Sequence, residues 1–144
     1  MSPTETFRIP RHRRHVPDAR RRVRKVLADW GVTTQLADSV TLLANELVTN
    51  AVTHCRVSDA RVEVTLTRHG TDLVLEVADP DRDRLPRLHH SGPDEERGRG
   101  LALVVALADA WGCRQEPYTK RVWARFSPAE AADVAARERV PAAP

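Results

Sequence analysis

The reading of the chain turns on residues 42–55, LLANELVTNAVTHC. Placed at 100° per residue, this stretch and the residues before it form a strongly two-sided helix. Val40, Leu43, Ala44, Leu47, Val48, Ala51 and Cys55 fall on one side; Ser39, Glu46, Thr49, Asn50, Thr53 and His54 fall on the other. Glu46 and Asn50 are four residues apart, so their side chains are neighbours on one strip. His54 continues that strip a turn later, at its margin. A carboxylate beside a carboxamide suits a hard cation, because such ions take oxygen ligands. The same spacing more often makes nothing beyond a solvated helix face, so the surrounding residues must decide.

The bulk properties narrow the classes. A chain of 144 residues is one domain by length, with enough apolar residues (41%) for a real core. No apolar run is long enough to cross a bilayer, and Met1 to Pro10 lacks the apolar segment of a signal peptide. The expected location is the cytoplasm, with no membrane partner. Cys55 and Cys113 make neither a disulfide framework nor a zinc pattern. Each is read as a buried thiol at the end of an apolar helical stretch.

The net charge of +3 is unevenly spread. Residues 1–25 hold nine basic residues against Glu5 and Asp18, a net of +7, which leaves −4 for the remainder. A basic arm on an acidic body can bind nucleic acid, an acidic partner or its own body. Composition bias toward Arg explains the arm equally well, since only two of the 23 basic residues, Lys25 and Lys120, are Lys. The arm also offers few aromatic residues for base stacking, Phe7 alone, and no helix-turn-helix follows it, so a nucleic-acid binder is the third reading of function.

In chain order, Glu5 to Pro10 reads as a short edge strand that Pro10 ends. Pro17 opens a helix, with Asp18 near its positive end, Ala19, Val23, Val26, Leu27 and Trp30 on its apolar face, and Gly31 as its stop. Thr33 or Thr34 caps the next helix, which runs to about His54. Residues 60–68 and 72–79 alternate around a Gly70 turn and read as a β-hairpin, which Pro80 ends. Residues 80–99 have no period and are rich in Pro and charge; a loop of that length in a compact domain is usually functional or disordered. An apolar helix is expected from Leu101 to Trp111, stopped by Gly112. Closing strands are expected at Arg114–Glu116 and Thr119–Phe126. Pro128 to Arg139 reads as a terminal helix before a frayed end. The expected organisation is a basic arm with an edge strand (1–15), one domain (16–127), and a C-terminal helix and tail (128–144).

Two further features carry chemistry. Gly98 and Gly100 precede a helix, where close backbone approach and first-turn N–H groups favour an anion; Arg97 and Arg99 add positive charge there. A lone G-x-G also serves as a plain hinge, and this one is neither a P-loop nor a dinucleotide fingerprint. Asp79 ends a strand, where a carboxylate can accept a hydrogen bond from a base's amino group or merely cap a turn.

In order, the set is E-x-x-x-N on a helix, a hairpin ending in Asp, a long loop, and G-x-G at a helix start. This resembles the nucleotide-binding fold shared by gyrase, Hsp90, histidine kinases and MutL. Within that superfamily it is most similar to the anti-sigma factor serine kinases and their stand-alone actinobacterial relatives. ELVTNAVTH at 46–54, VADP at 77–80, ERGRGLALV at 96–104 and KRVWARF at 120–126 carry the likeness.

The resemblance implies an α+β, two-layer α/β sandwich: a mixed, mostly antiparallel sheet covered on one face by helices. It implies ATP and Mg²⁺ as cofactors. Glu46 matches the family's catalytic carboxylate, Asn50 its Mg²⁺ ligand and Asp79 its adenine-reading Asp. Gly98, Gly100 and Leu101, flanked by Arg97 and Arg99, match the glycine motif that meets the phosphates, and His54 matches a position near the nucleotide. Residues 80–97 would form a lid. The implied partners are a sigma factor and an anti-anti-sigma antagonist whose serine is phosphorylated, and the family often forms homodimers. The chain departs from the pattern in two places. Pro80-Asp81-Arg82-Asp83 follows Asp79 where a glycine is usual, and Thr119 and Arg121 flank Lys120 where Gly and Thr are usual. These departures motivate a second reading, an ATP-binding partner switch without transfer.

Overall fold

A computed structural model of the chain describes residues 2–33, 35–57, 59–81 and 106–128. The elements follow the sequence pattern closely up to residue 81. Strand β1 (Thr4–Pro10) leads through a 3-10 turn at Arg13–His15 to helix α1 (Val16–Asp29) and helix α2 (Gln35–His54). Strands β2 (Arg61–His69) and β3 (Asp72–Asp79) form the hairpin, and β4 (Ala110–Gln115) and β5 (Lys120–Phe126) close the sheet.

Local chemistry accounts for the boundaries. Proline occupies the first turn of α1, where its missing N–H has no helical acceptor to lose. Gly31 follows α1 with φ +76, donating to the Ala28 carbonyl while Val32 donates to that of Leu27. This paired reverse bonding satisfies carbonyls that the helix end leaves open, and it needs a left-handed residue. In the hairpin, His69 pairs with Asp72, leaving Gly70 and Thr71 as a two-residue turn. Gly70 has φ +62, the conformation that glycine supplies without steric cost.

The sheet order is β1-β2-β3-β5-β4, and every described pairing is antiparallel. Alternation sends Val62, Val64 and Leu66 of β2, Leu73, Leu75 and Val77 of β3, and Val122, Ala124 and Phe126 of β5 to one face. Helix α2 crosses β3 and β2 on that face, and α1 packs on α2. Val40, Leu43, Ala44, Leu47, Val48 and Ala51 are buried in the shared core, as the apolar side of the helix requires. Truncating a side chain such as Leu43 or Leu75 to Ala removes roughly 2–5 kcal/mol at a site of this kind. The outer face is polar and charged: Arg8 and Arg121 both reach Glu63, at 2.9 and 3.3 Å, and Arg114 reaches Glu76 at 3.0 Å. The architecture is the α+β sandwich expected of the sequence.

Two expectations need correction. The chain is helical at Ala106 and Leu107 but is already strand at Ala110, so the apolar helix does not reach Trp111 and β4 begins four residues early. Asp109 sets this exit: its N–H donates to the Arg125 carbonyl and its carboxylate accepts the Ser127 N–H at 2.6 Å. Gly112 is therefore not a helix stop. It pairs with Trp123 across β4 and β5, and a Cβ there would lie 2.8 Å from the indole ring. Cys113 accordingly lies on a strand, half-buried, whereas Cys55 is a buried free thiol directly after α2. All but the first residue of the expected terminal helix at 128–139, the Thr34 cap and all but the first two residues of the 80–97 loop lie outside the described residues.

The basic N-terminal segment is engaged with the body of the protein. Arg8 pairs with Glu63, Arg11 donates to the Cys55 carbonyl at 2.9 Å, and the Arg22 guanidinium stacks over Phe7 at 5.3 Å. Among the described residues, no helix is long and apolar enough to cross a membrane.

Candidate functional site

The candidate site begins where several segments end together. Asp79 is the last residue of β3 and lies in phase with Leu73, Leu75 and Val77, so its carboxylate turns toward the helix-covered side. Directly opposite in register is Lys120, the first residue of β5, in phase with Val122, Ala124 and Phe126. Lys120 Nζ lies 3.5 Å from Asp79 Oδ2, and both side chains are more than nine-tenths buried. Burial pushes the Asp79 carboxyl above its ordinary value, against the Lys120 ammonium and the Asp81 N–H, which both favour the ionised form.

A second tie holds this corner. The Asp81 N–H donates to Asp79 Oδ1 at 2.9 Å, which orients the carboxylate as an Asx turn does. The Asp81 carboxylate in turn accepts from three donors of Arg56: its N–H and Nε on Oδ2, at 2.9 and 3.0 Å, and Nη2 on Oδ1 at 3.1 Å. The Arg56 guanidinium and N–H hold the Asp81 carboxyl at about 2, well below the usual range. Arg56 lies two residues beyond α2, so this fork joins the exit of α2 to the exit of β3. Asp81, which the sequence marks as a departure from the family pattern, is a buried tether here.

From that joint the polar strip runs back along α2. His54 is the last residue of the helix; Asn50 and Glu46 lie one and two turns earlier, about 6 and 12 Å along the axis. All three are half-buried. Burial alone raises the Glu46 carboxyl above its ordinary value, and no described cation sits close enough to pull it back. The strip thus offers a desolvated carboxylate and a carboxamide oxygen on one helix face. Among the described residues, no three His, Cys, Asp or Glu side chains gather into a metal cluster. One or two protein oxygens suit Mg²⁺, which keeps several waters and takes other ligands from phosphate, rather than a cation that needs a protein cage.

The structure therefore brings the Asp79 end of β3 to the His54 end of α2, with Asn50 and Glu46 on the polar side of that helix. Arg97, Gly98, Arg99, Gly100 and Leu101 lie outside the described residues. Arg56 and the Asp79–Lys120 pair were not picked out by reading the sequence. Lys120 had a legible signal: in K-x-V-x-A-x-F the lysine is in the inward phase of an apolar strand, where a charge needs a reason. Arg56 had none, because its partner is 25 residues away and outside any motif.

Residues 9–126 match the model of the histidine kinase-like ATPase domain, and the chain belongs to that family. No curated protein matches the chain in sequence. Solved structures that share the fold include these three. One comprises the RsbU and RsbW domains of Rv1364c from Mycobacterium tuberculosis (TM-score 0.66, 17% identity, over 86% of this chain and 32% of that one). Another is the SiaB–SiaC complex from Pseudomonas aeruginosa (0.60, 15%, over 85% and 88%). A third is the histidine kinase domain of the blue-light activated histidine kinase from Erythrobacter litoralis EL346 (0.54, 16%, over 86% and 66%). The chain thus spans about a third of the first of these proteins and about two thirds of the third. At these identities the likeness is one of fold.

Proposed function

We propose that this protein binds ATP with Mg²⁺ and transfers the γ-phosphoryl group to a serine of a partner protein, acting as a partner-switching regulator of the anti-sigma kinase kind. The observation that carries this reading is the joint of α2 to β3, which brings the buried Asp79 to the His54 end of the helix whose polar strip carries the half-buried Asn50 and Glu46. Family membership supports nucleotide binding, and the RsbW domain and SiaB structures support an antagonist-type partner. A sigma factor, a homodimer and a cytoplasmic location belong to the same reading.

In this mechanism Asp79 accepts from the adenine amino group, and Asn50 contributes an oxygen to the cation that neutralises charge on the phosphates. The glycine motif at 98–100, with Arg97, Arg99 and Leu101, meets the phosphate chain, and His54 lies near the nucleotide. Glu46 takes or orients the proton of the attacking serine hydroxyl. A bond forms between the serine oxygen and the γ-phosphorus, the bond to the β-phosphate oxygen breaks, and ADP leaves with the electron pair. Such transfer depends on positioning and charge neutralisation more than on covalent chemistry. A raised pKa strengthens Glu46 as a base once it is ionised.

Incubation with γ-labelled ATP, Mg²⁺ and candidate antagonist proteins tests the reading. Label on an antagonist serine, lost in Glu46→Gln, is the expected result. Mg-ATP binding with no transfer to any antagonist that forms a complex favours the second reading, a switch that acts by binding alone. That reading draws on Pro80-Asp81, the stretch that replaces the usual glycine with the Arg56 tether.

A further inference from the structure

The basic residues near the N-terminus fall into two groups. Arg8, Arg11 and Arg22 are tied to the body by Glu63, the Cys55 carbonyl and the Phe7 ring. Arg20 leans across to Asn45 of α2 at 3.4 Å. Arg13, Arg14, Arg21, Arg24 and Lys25 instead stay exposed on the 3-10 turn and the outer side of α1. Arg21 and Lys25 meet Asp18 and Asp29 at 2.8 and 3.4 Å, and exposed pairs of this kind hold weakly and exchange readily. Arg13 and Arg24 make no ion pair among the described residues. Residues 13–29 carry seven Lys or Arg against two Asp, a net of +5 on a chain whose total is +3. A compositional preference for Arg over Lys does not gather that excess on one helix.

The chemistry of this surface selects among polyanions. A membrane-lying helix needs its apolar side free, and here Val16, Ala19, Val23 and Leu27 are buried in the core, with α1 packed on α2. A protein partner is anchored by apolar and aromatic side chains at the centre of the contact. The exposed side of α1 offers Pro17 and Ala28 alone, and the exposed large apolar residues Leu42, Val57 and Tyr118 belong to other elements. Residues 13–29 hold no aromatic residue on which the bases of a single strand could stack. A duplex backbone needs none of these. It presents one charge per about 1.7 Å of axis, against a helix about 21 Å long. The arginine fork matches phosphate oxygens two at a time. We propose that the 3-10 turn and the outer side of α1 form a docking surface for the phosphate backbone of double-stranded nucleic acid, independent of base sequence. The surface is separate from the α2–β3 joint, and the proposal does not depend on the nucleotide reading.

Fluorescence anisotropy of a labelled DNA duplex tests it, across a salt series in Mg-free buffer. The proteins are the full chain, its Arg21→Gln/Arg24→Gln/Lys25→Gln variant, and Arg114→Gln as a control on the opposite face of the sheet. The wild type is expected to bind two duplexes of unrelated sequence equally, in the micromolar range at low salt. The logarithm of the binding constant should fall against that of salt with a slope of about −3 to −4.5, about −0.9 for each of three to five phosphates contacted. The triple variant should lose about 2.7 of that slope and most of the binding, while Arg114→Gln keeps both. An absence of duplex binding by the wild type at low salt, an arm that needs no variant to fold, overturns the proposal. A triple variant that matches the wild type in urea midpoint and keeps its slope overturns it as well. Binding of poly-glutamate, or of phosphatidylserine vesicles, as tight as that of the duplex would assign the surface to an acidic protein or a lipid and overturn it too.

Discussion

The corner at the ends of β3 and β5 and the polar strip of α2 solve opposite problems. In the corner, each acidic group is tied: Asp79 to Lys120 and the Asp81 N–H, Asp81 to three donors of Arg56. On the strip, Glu46 is half-buried, and among the described residues desolvation is the one cause acting on its pKa. Tied groups fix geometry. A desolvated carboxylate with no partner among the described residues does the reverse, since it weakens the fold and keeps its acceptor capacity for something else. In the proposed function, the contrast separates a reading end, which must be rigid, from a reacting end, which must be available.

Substitutions can break this contrast. The largest expected effect is on transfer: Glu46→Gln should lower the rate of serine phosphorylation by roughly 10²–10⁴-fold, the usual worth of a positioned general base. The same variant should be as stable as the wild type or slightly more so at pH 7 in urea titrations, because a neutral amide replaces a charge that burial disfavours. A variant that unfolds at markedly lower urea would place Glu46 among the tied groups.

Arg56→Met should do the opposite. It leaves the buried Asp81 carboxylate without its fork and should destabilise the fold by roughly 1–2 kcal/mol at pH 7, allowing for the exposed guanidinium. The pH dependence follows from the direction of the Asp81 shift. Its folded value is lowered from 3.8 to about 2, so the contribution is fully present above pH 3.8 and is lost as pH falls through about 2. The gap in stability between the wild type and Arg56→Met should therefore narrow across that window. A gap that stays constant down to pH 2 would mean that the fork is not what Arg56 supplies.

A third contrast lies in the activity profile. The Glu46 carboxyl is raised above its ordinary value, so transfer should climb with pH through a pKa higher than that of a solvated Glu. A rate whose acid limb coincides with an unshifted carboxylate would argue that another group limits the reaction. The smallest effect belongs to the sheet itself. Gly112→Ala should cost about 1 kcal/mol of stability, at the low end for overpacking, because the added methyl pushes on the Trp123 ring. Tryptophan emission should shift with it, while transfer stays close to the wild-type rate.

The sequence revealed the helix and strand framework because its signals were local and agreed with one another. Pro17 and Gly31 bracket α1, the Gly70 turn sets the hairpin, and the period of Leu43, Leu47 and Ala51 fixes which side of α2 is buried, leaving Glu46 and Asn50 on the other. The run from Leu101 to Trp111 misled because a continuous apolar stretch looks alike whether helix or strand continues it. The tertiary bonds of Asp109 to Arg125 and Ser127 decide that boundary, and no local pattern shows them. Gly112 misled for a related reason: a glycine after apolar residues reads as a stop, while its actual requirement is the Trp123 ring on the next strand. The Arg56–Asp81 fork escaped notice because it joins two exits distant in sequence. Asp81 was visible only as a missing glycine, and its role needed the partner.

Calorimetric titration of Mg-ATP into the wild type and into Asn50→Ala tests the central claim most directly. The account predicts saturable binding by the wild type and at least about ten-fold weaker binding once the carboxamide oxygen is gone, the factor that corresponds to 1.4 kcal/mol. Heat changes that are absent in the wild type, or identical in the two proteins, would contradict it.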